Sequence, residues 1–151
     1  MNSVRARGFT LIELMVTVTL LGVLLGVAIP SFRDFMDTQR VKSAAFDMAA
    51  ALLLARSEAI KRNSDVTVAP VTGTDWGTGW TVKAGATTLL QKESVDEVTV
   101  ASPTATTSIT FKSSGRPGVD ARFQFSGTSS TVRCVRVDAA GIPSTTNVAC
   151  S

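Results

Sequence analysis

Residues 8–30 read GFTLIELMVTVTLLGVLLGVAIP, and Glu13 is the one formal charge among them. The 21 residues at 9–29 would rise about 31 Å as a helix, enough to cross a hydrocarbon core of about 30 Å. An acidic side chain at the centre of such a span costs roughly 2.5–3.5 kcal/mol on insertion scales. Glu13 sits about a turn from the start, which lowers that cost but leaves a carboxylate in need of a partner. A free α-amino group on Phe9, created by a cut after Gly8, is the partner within reach, on the same chain or a neighbouring one. Paired across two chains, the charges set the axial register of helices packed side by side. Buried ion pairs serve specificity better than net stability.

Working outward, residues 1–8 read MNSVRARG, a short basic lead-in. Arg5 and Arg7 predict that this end stays cytoplasmic and that everything after Pro30 lies beyond the inner membrane. Three other readings of the segment fare worse. A secretory signal could end at Gly26-Val27-Ala28, but a glutamate within the apolar run and the length of that run argue against it. A plain signal anchor leaves Glu13 unexplained. A buried helix of a soluble core does not need so long an apolar stretch.

From 31 to 62 there is no Gly or Pro. Phe32, Phe35, Met36, Ala45, Met48, Ala49, Leu52, Ala55, Ala59 and Ile60 form an apolar stripe at helical spacing, with most charges elsewhere. This predicts one helix from about 9 to 62, about 80 Å if straight. Its first half (9–29) faces lipid, its second (30–62) is amphipathic, and Asn63 is a plausible stop. Pro30 removes a backbone donor and should bend or loosen the helix. Gly22 and Gly26 weaken it too, or form a close-packing face for helix pairing.

From 63 to 151 the pattern is β. Runs at 66–69, 80–83, 98–101, 108–112, 121–126 and 131–137 alternate or carry branched residues, with Gly, Pro, Asp and Ser between them. A helix followed by strands predicts an α+β fold, an antiparallel sheet packed on the second half of the helix. The stretch 102–108 reads as a surface loop. Asp75-Trp76-Gly77-Thr78-Gly79-Trp80 reads as a turn whose tryptophans cover a small core, in preference to a sugar- or partner-binding patch. Cys134 and Cys150 are the two cysteines, and an exported location favours a bridge over two free thiols.

Composition excludes more than it asserts. The chain has 151 residues, no His and no Tyr. The commonest general base and the commonest zinc ligand are therefore missing. No phosphate loop and no identifiable carboxylate pair point to catalysis, so the reading is a non-enzyme without cofactor, metal or small-molecule substrate. The net charge is +3, yet from Phe9 onward 13 basic residues face 12 acidic ones. Lys112, Arg116, Arg122, Arg133 and Arg136 are candidate phosphate contacts. Spread along the strands, they read first as a solvated face, so nucleic acid is not the favoured partner.

The residues GFTLIELMVT at 8–17, the basic lead-in and Pro30 resemble the N-terminus of type IV pilins and type II secretion pseudopilins. The resemblance implies that a prepilin peptidase cuts between Gly8 and Phe9, that Phe9 is then N-methylated, and that Glu13 governs assembly. Arg56-Ser57-Glu58-Ala59-Ile60, the two tryptophans and Ser114-Gly115-Arg116-Pro117 are similar to FimT/FimU-type minor pilins and GspH-type pseudopilins. That implies a pilin-like fold, with other minor and major pilins or pseudopilins as partners. It also implies a single pass through the inner membrane before entry into a pilus or pseudopilus. Some FimT-like proteins bind DNA through a basic Gly-Arg-x-Arg element. Gly141-Ile142-Pro143-Ser144 stands at the comparable place and departs from it.

Overall fold

The computed structural model describes residues 8–151. Residues 1–7 of the basic lead-in, with Arg5 and Arg7, lie outside the described residues. The chain divides into two units, one ending at Phe35 and one spanning Met36–Ser151. Helix α1 (Leu11–Arg62) supplies residues to both.

In the first unit every residue from Gly8 to Phe35 is exposed, although the helix is apolar, with a mean hydropathy of 2.4 over its most apolar window. That exposure is what a lipid-facing segment requires. Its hydroxyls are turned back on the helix. Thr17 Oγ1 donates to the Leu14 carbonyl at 2.8 Å, Thr19 Oγ1 to Val16 at 2.8 Å, and Ser31 Oγ to Val27 at 3.2 Å. Bonds of this kind let polar side chains sit in hydrocarbon. The helix runs unbroken through Pro30, so the expected loosening does not interrupt it. The missing N–H leaves the Gly26 carbonyl without its helical donor.

In the second unit the stripe turns inward. Val41, Ala44, Ala45, Met48, Ala51, Leu52, Ala55 and Ala59 are buried at steps of three and four, the period of one helix face. The helix stops as Asn63 suggests: it adopts φ 48°, and Ser64 N–H reaches back to the Ala59 carbonyl at 3.2 Å. Lys61 and Arg62 complement the negative end of the dipole, and both pair with Glu58.

The described residues form two four-stranded antiparallel sheets where the pattern predicted one. The first contains β1 (Val66–Thr72), β2 (Asp75–Ala84), β3 (Thr87–Glu93) and β5 (Ile109–Phe111), in the order β3-β2-β1-β5. The second contains β4 (Thr99–Ala101), β6 (Ala121–Ser126), β7 (Val132–Val137) and β8 (Pro143–Thr146), in the order β4-β6-β7-β8. Pro70 is tolerated in β1 because β5 pairs only with Val66, Thr67 and Val68.

The tryptophan run is a correction. It is the first half of β2 and no turn, although both indoles join the core at 2% exposure as expected. Trp76 meets Phe123 edge-on with centroids 4.6 Å apart, and Trp80 meets Phe125 at 6.3 Å. These pairs tie the first sheet to the second. Gly79, at φ 96°, lets β3 come close: a Cβ there would collide with the Lys92 carbonyl and Glu93 Cα.

Candidate functional site

The first turn of α1 holds the candidate assembly residues. Thr10 and Glu13 face each other as a capping box: Glu13 N–H donates to Thr10 Oγ1 at 3.3 Å, and Thr10 N–H to Glu13 Oε2 at 3.5 Å. The spacing Thr-x-x-Glu carries this signal, and reading Glu13 only as a charge overlooks it. The contacts are long for hydrogen bonds, and Glu13 makes no ion pair among the described residues. Phe9, beside them, is 81% exposed. Nothing lies within 4 Å of a Cβ built on Gly8, Gly22 or Gly26, so these backbones are open to another molecule.

The globular unit presents the other candidates. Cys134 and Cys150 are joined in a disulfide, with Cα atoms 5.2 Å apart. The tail after β8 thus returns to β7, and Cys150 N–H donates to Gln124 Oε1 at 3.2 Å. The five basic residues separate into groups. Lys112 follows β5 and pairs with Asp65 at 2.6 Å, and its N–H is bonded to the Arg116 carbonyl in the next turn. Arg122, Arg133 and Arg136 belong to the second sheet, where Arg122 stands directly opposite Arg136 and Arg133 opposite Phe125. Sequence spacing could not show which of the five converge, because cross-strand register decides it. Gly141 is a turn residue at φ 78° leading into β8. Trp76 is too buried to stack on a sugar, and its Nε1–H is spent on the Thr106 carbonyl at 2.7 Å.

Sequence reasoning missed Asp37. It is 4% exposed, and its carboxylate accepts N–H bonds from Thr128 at 3.1 Å and Ser129 at 2.8 Å. Its neighbour Thr38 shares a hydroxyl contact of 2.9 Å with Thr131. The Ser129 hydroxyl first, then the amides of Ser129 and Thr128, hold the carboxyl below its usual value against the opposing effect of burial. The helix is thereby tied to the β6–β7 connection at the start of the globular unit.

Comparison with known proteins places both ends. A family model described as "Type II transport protein GspH" matches residues 44–141, and one described as "Prokaryotic N-terminal methylation motif" matches residues 4–29. The "Type IV narrow pilus major component PilA5" of Thermus thermophilus is 32% identical over 101 residues, 64% of this chain and 87% of that protein. A "Fimbrial protein" of Pseudomonas aeruginosa is 33% identical over 75 residues, 50% of this chain and 49% of the other. Among solved structures, the type IV minor pilin FimU of Pseudomonas aeruginosa superposes with a TM-score of 0.61 at 24% identity, covering 70% of this chain and 91% of FimU. The minor pseudopilin EpsH of the Vibrio cholerae type 2 secretion system gives 0.58 at 14% identity, over 72% and 97%. At these identities the two structures establish a shared fold, a long helix packed on antiparallel sheets.

Proposed function

Since the chain belongs to the GspH family and carries the prokaryotic N-terminal methylation motif, which makes it a type IV pilin-like, membrane-anchored filament protein, we propose that it is a minor pilin. In this reading a prepilin peptidase cuts between Gly8 and Phe9. Before assembly the helix spans the inner membrane with its N-terminus cytoplasmic and its β domain outside. The subunit then joins, or primes, a type IV pilus alongside other pilins. The role is structural and needs no catalysis. The observation that carries it is Glu13, a lone carboxylate in the first turn of a helix whose exposed apolar stretch to Ile29 is otherwise uncharged, close in sequence to the residue whose amine the cut would free. Stacked head to tail, each helix offers Glu13 to the Phe9 amine of the next, and one heterologous contact repeats along the filament.

Intact-mass analysis of the membrane-extracted protein tests this. The expected chain starts at a methylated Phe9. A chain that keeps Met1, or starts after Ala28, refutes it.

A pseudopilin of type II secretion is the second reading, favoured by the description of the family model over 44–141. The two differ in what the cell loses with the gene: surface pili in one case, secreted enzymes in the other. A DNA-uptake role draws less support, because Lys112 already has Asp65 and, in the second sheet, Arg133 alternates with Arg136 along β7 and so lies on the other face from Arg122 and Arg136.

A further inference from the structure

On β6, Ala121, Phe123 and Phe125 are fully buried, so Arg122 and Gln124 point to the opposite face of the sheet. Register places Arg136 beside Arg122 and Cys134 beside Gln124, with Ser144 and Thr146 of β8 next in line. The tail folds back over this face, fixed by the Cys134–Cys150 bridge and the Cys150–Gln124 bond. Between tail and sheet lies a pocket of ≈ 260 Å³ lined by Arg122, Arg136, Ser144 and Thr146.

Two like charges directly opposite on neighbouring strands repel. Arg40, Lys61, Arg62, Lys92 and Lys112 each have a carboxylate partner. Arg122 and Arg136 have none within ion-pair distance among the described residues. Asp138, just past the end of β7, spends Oδ1 on the amides of Ala140 and Ile142, and Asp120, just before β6, makes no ion pair with either arginine. The Gln124 carbonyl is likewise engaged, so the polar side chains the pocket offers are two guanidinium forks and the hydroxyls of Ser144, Thr146 and Ser151, beside apolar Val148 and Ala149. Paired forks suit a carboxylate bound by parallel N–H bonds. The pocket falls below the roughly 300–1,000 Å³ of ordinary small-molecule sites, which favours a single side chain over a metabolite. β8 is an edge strand, so its outer backbone groups are open to an extended polypeptide.

We propose that Arg122 and Arg136 form a carboxylate-binding pocket that takes an Asp or Glu side chain from an extended segment of a neighbouring filament subunit. The identity of that neighbour as a subunit rests on the function proposed above; the pocket's chemistry does not.

The test uses the full chain in neutral detergent, labelled with 15N-arginine. It is titrated separately with a blocked peptide of alternating Ser and Glu, its Ser/Gln counterpart, inorganic phosphate and duplex DNA. The expected result is movement of the Arg122 and Arg136 Nε–H signals with the Glu peptide alone. R122Q/R136Q should weaken that binding by about tenfold or more, and K112Q should leave it unchanged. If the double glutamine variant does not fold, R122K/R136K replaces it; loss of the fork with retained charge should still weaken binding. No signal change at low salt overturns the proposal, as does equal binding of the Gln peptide. Signal changes with phosphate or DNA but not the Glu peptide overturn it too. A chain starting at Phe9 with no peptide binding removes this pocket alone. Peptide binding by a chain that keeps Met1 removes the filament role and leaves the pocket.

Discussion

Replacing Asp37 by Ala should destabilise the globular unit out of proportion to the size of the change. The carboxylate takes one N–H bond on each oxygen, from Thr128 and Ser129, at 4% exposure. A hydrogen bond to a charged group contributes about 1.5–3 kcal/mol. The connection can shift to hydrate part of what it loses, so the net cost should be about 2–4 kcal/mol. At about 4 °C per kcal/mol, the midpoint should fall by about 8–16 °C. Asp37→Asn keeps one acceptor oxygen and should lose about half as much. Gly127 belongs to the same device, because any Cβ there would strike the Asp37 carboxylate. The assay is thermal unfolding of the full chain in detergent, with hydrogen exchange at Thr128 and Ser129. A midpoint within about 2 °C of the parent, with those amides still protected, would refute the reasoning.

The same contact sets a pH dependence. The carboxyl of Asp37 lies below its ordinary value of 3.8 in the folded chain. A group whose folded pKa is depressed contributes its stability in full above the unfolded value. That contribution is lost as pH falls from 3.8 through the lower folded value. The gap between parent and Asp37→Ala should therefore be constant at neutral pH and narrow as pH falls below 3.8.

Two further predictions concern other ties in the fold. Reducing the Cys134–Cys150 bridge, whose partners are 16 residues apart, should cost about 3 kcal/mol on the chain-entropy account, read as a lower midpoint in reductant. Gly79→Ala should cost about 3 kcal/mol or more, because its φ of 96° and the backbone of Lys92 and Glu93 leave no room for a methyl group; an unchanged midpoint would contradict that.

The helix was legible because its first half is an apolar run long enough to span a membrane and its second half repeats apolar residues at helical steps. Ala45, Met48, Leu52, Ala55 and Ala59 recur at helical steps and are all buried. β6 was legible for a related reason: Ala121, Phe123 and Phe125 alternate with polar residues. β3 was not, because TTLLQKE lies at the edge of its sheet and buries no residue fully. β8, with PSTT, has no apolar alternation at all. Nor could spacing divide the strands between two sheets, since β1 pairs with β5 across a long interval of chain. Asp37 hid among Arg33, Asp34 and Arg40, yet it stands four residues before Val41 and seven before Ala44. Its place on the buried face was there to be read.

The capping box gives Glu13 a purely local duty, and one substitution separates that duty from assembly. Glutamine serves at the third position of a capping box as glutamate does. The side-chain amide introduced by Glu13→Gln could therefore still accept the Thr10 N–H, but it cannot pair with an amine as a charge. It is also easier to hold in hydrocarbon, so Glu13→Gln should insert at least as well as the parent. If capping were the whole role, the variant would enter filaments normally. If the carboxylate sets register against the Phe9 amine of a neighbour, the variant should be cleaved and membrane-bound yet poorly incorporated, and Glu13→Asp should fare better than Glu13→Gln. The contacts favour the second outcome. At 3.3 and 3.5 Å they are too long to account for keeping a charge in an apolar helix. Immunoblots of sheared filaments against membrane fractions would decide it, and equal incorporation of Glu13→Gln would leave the register argument without support.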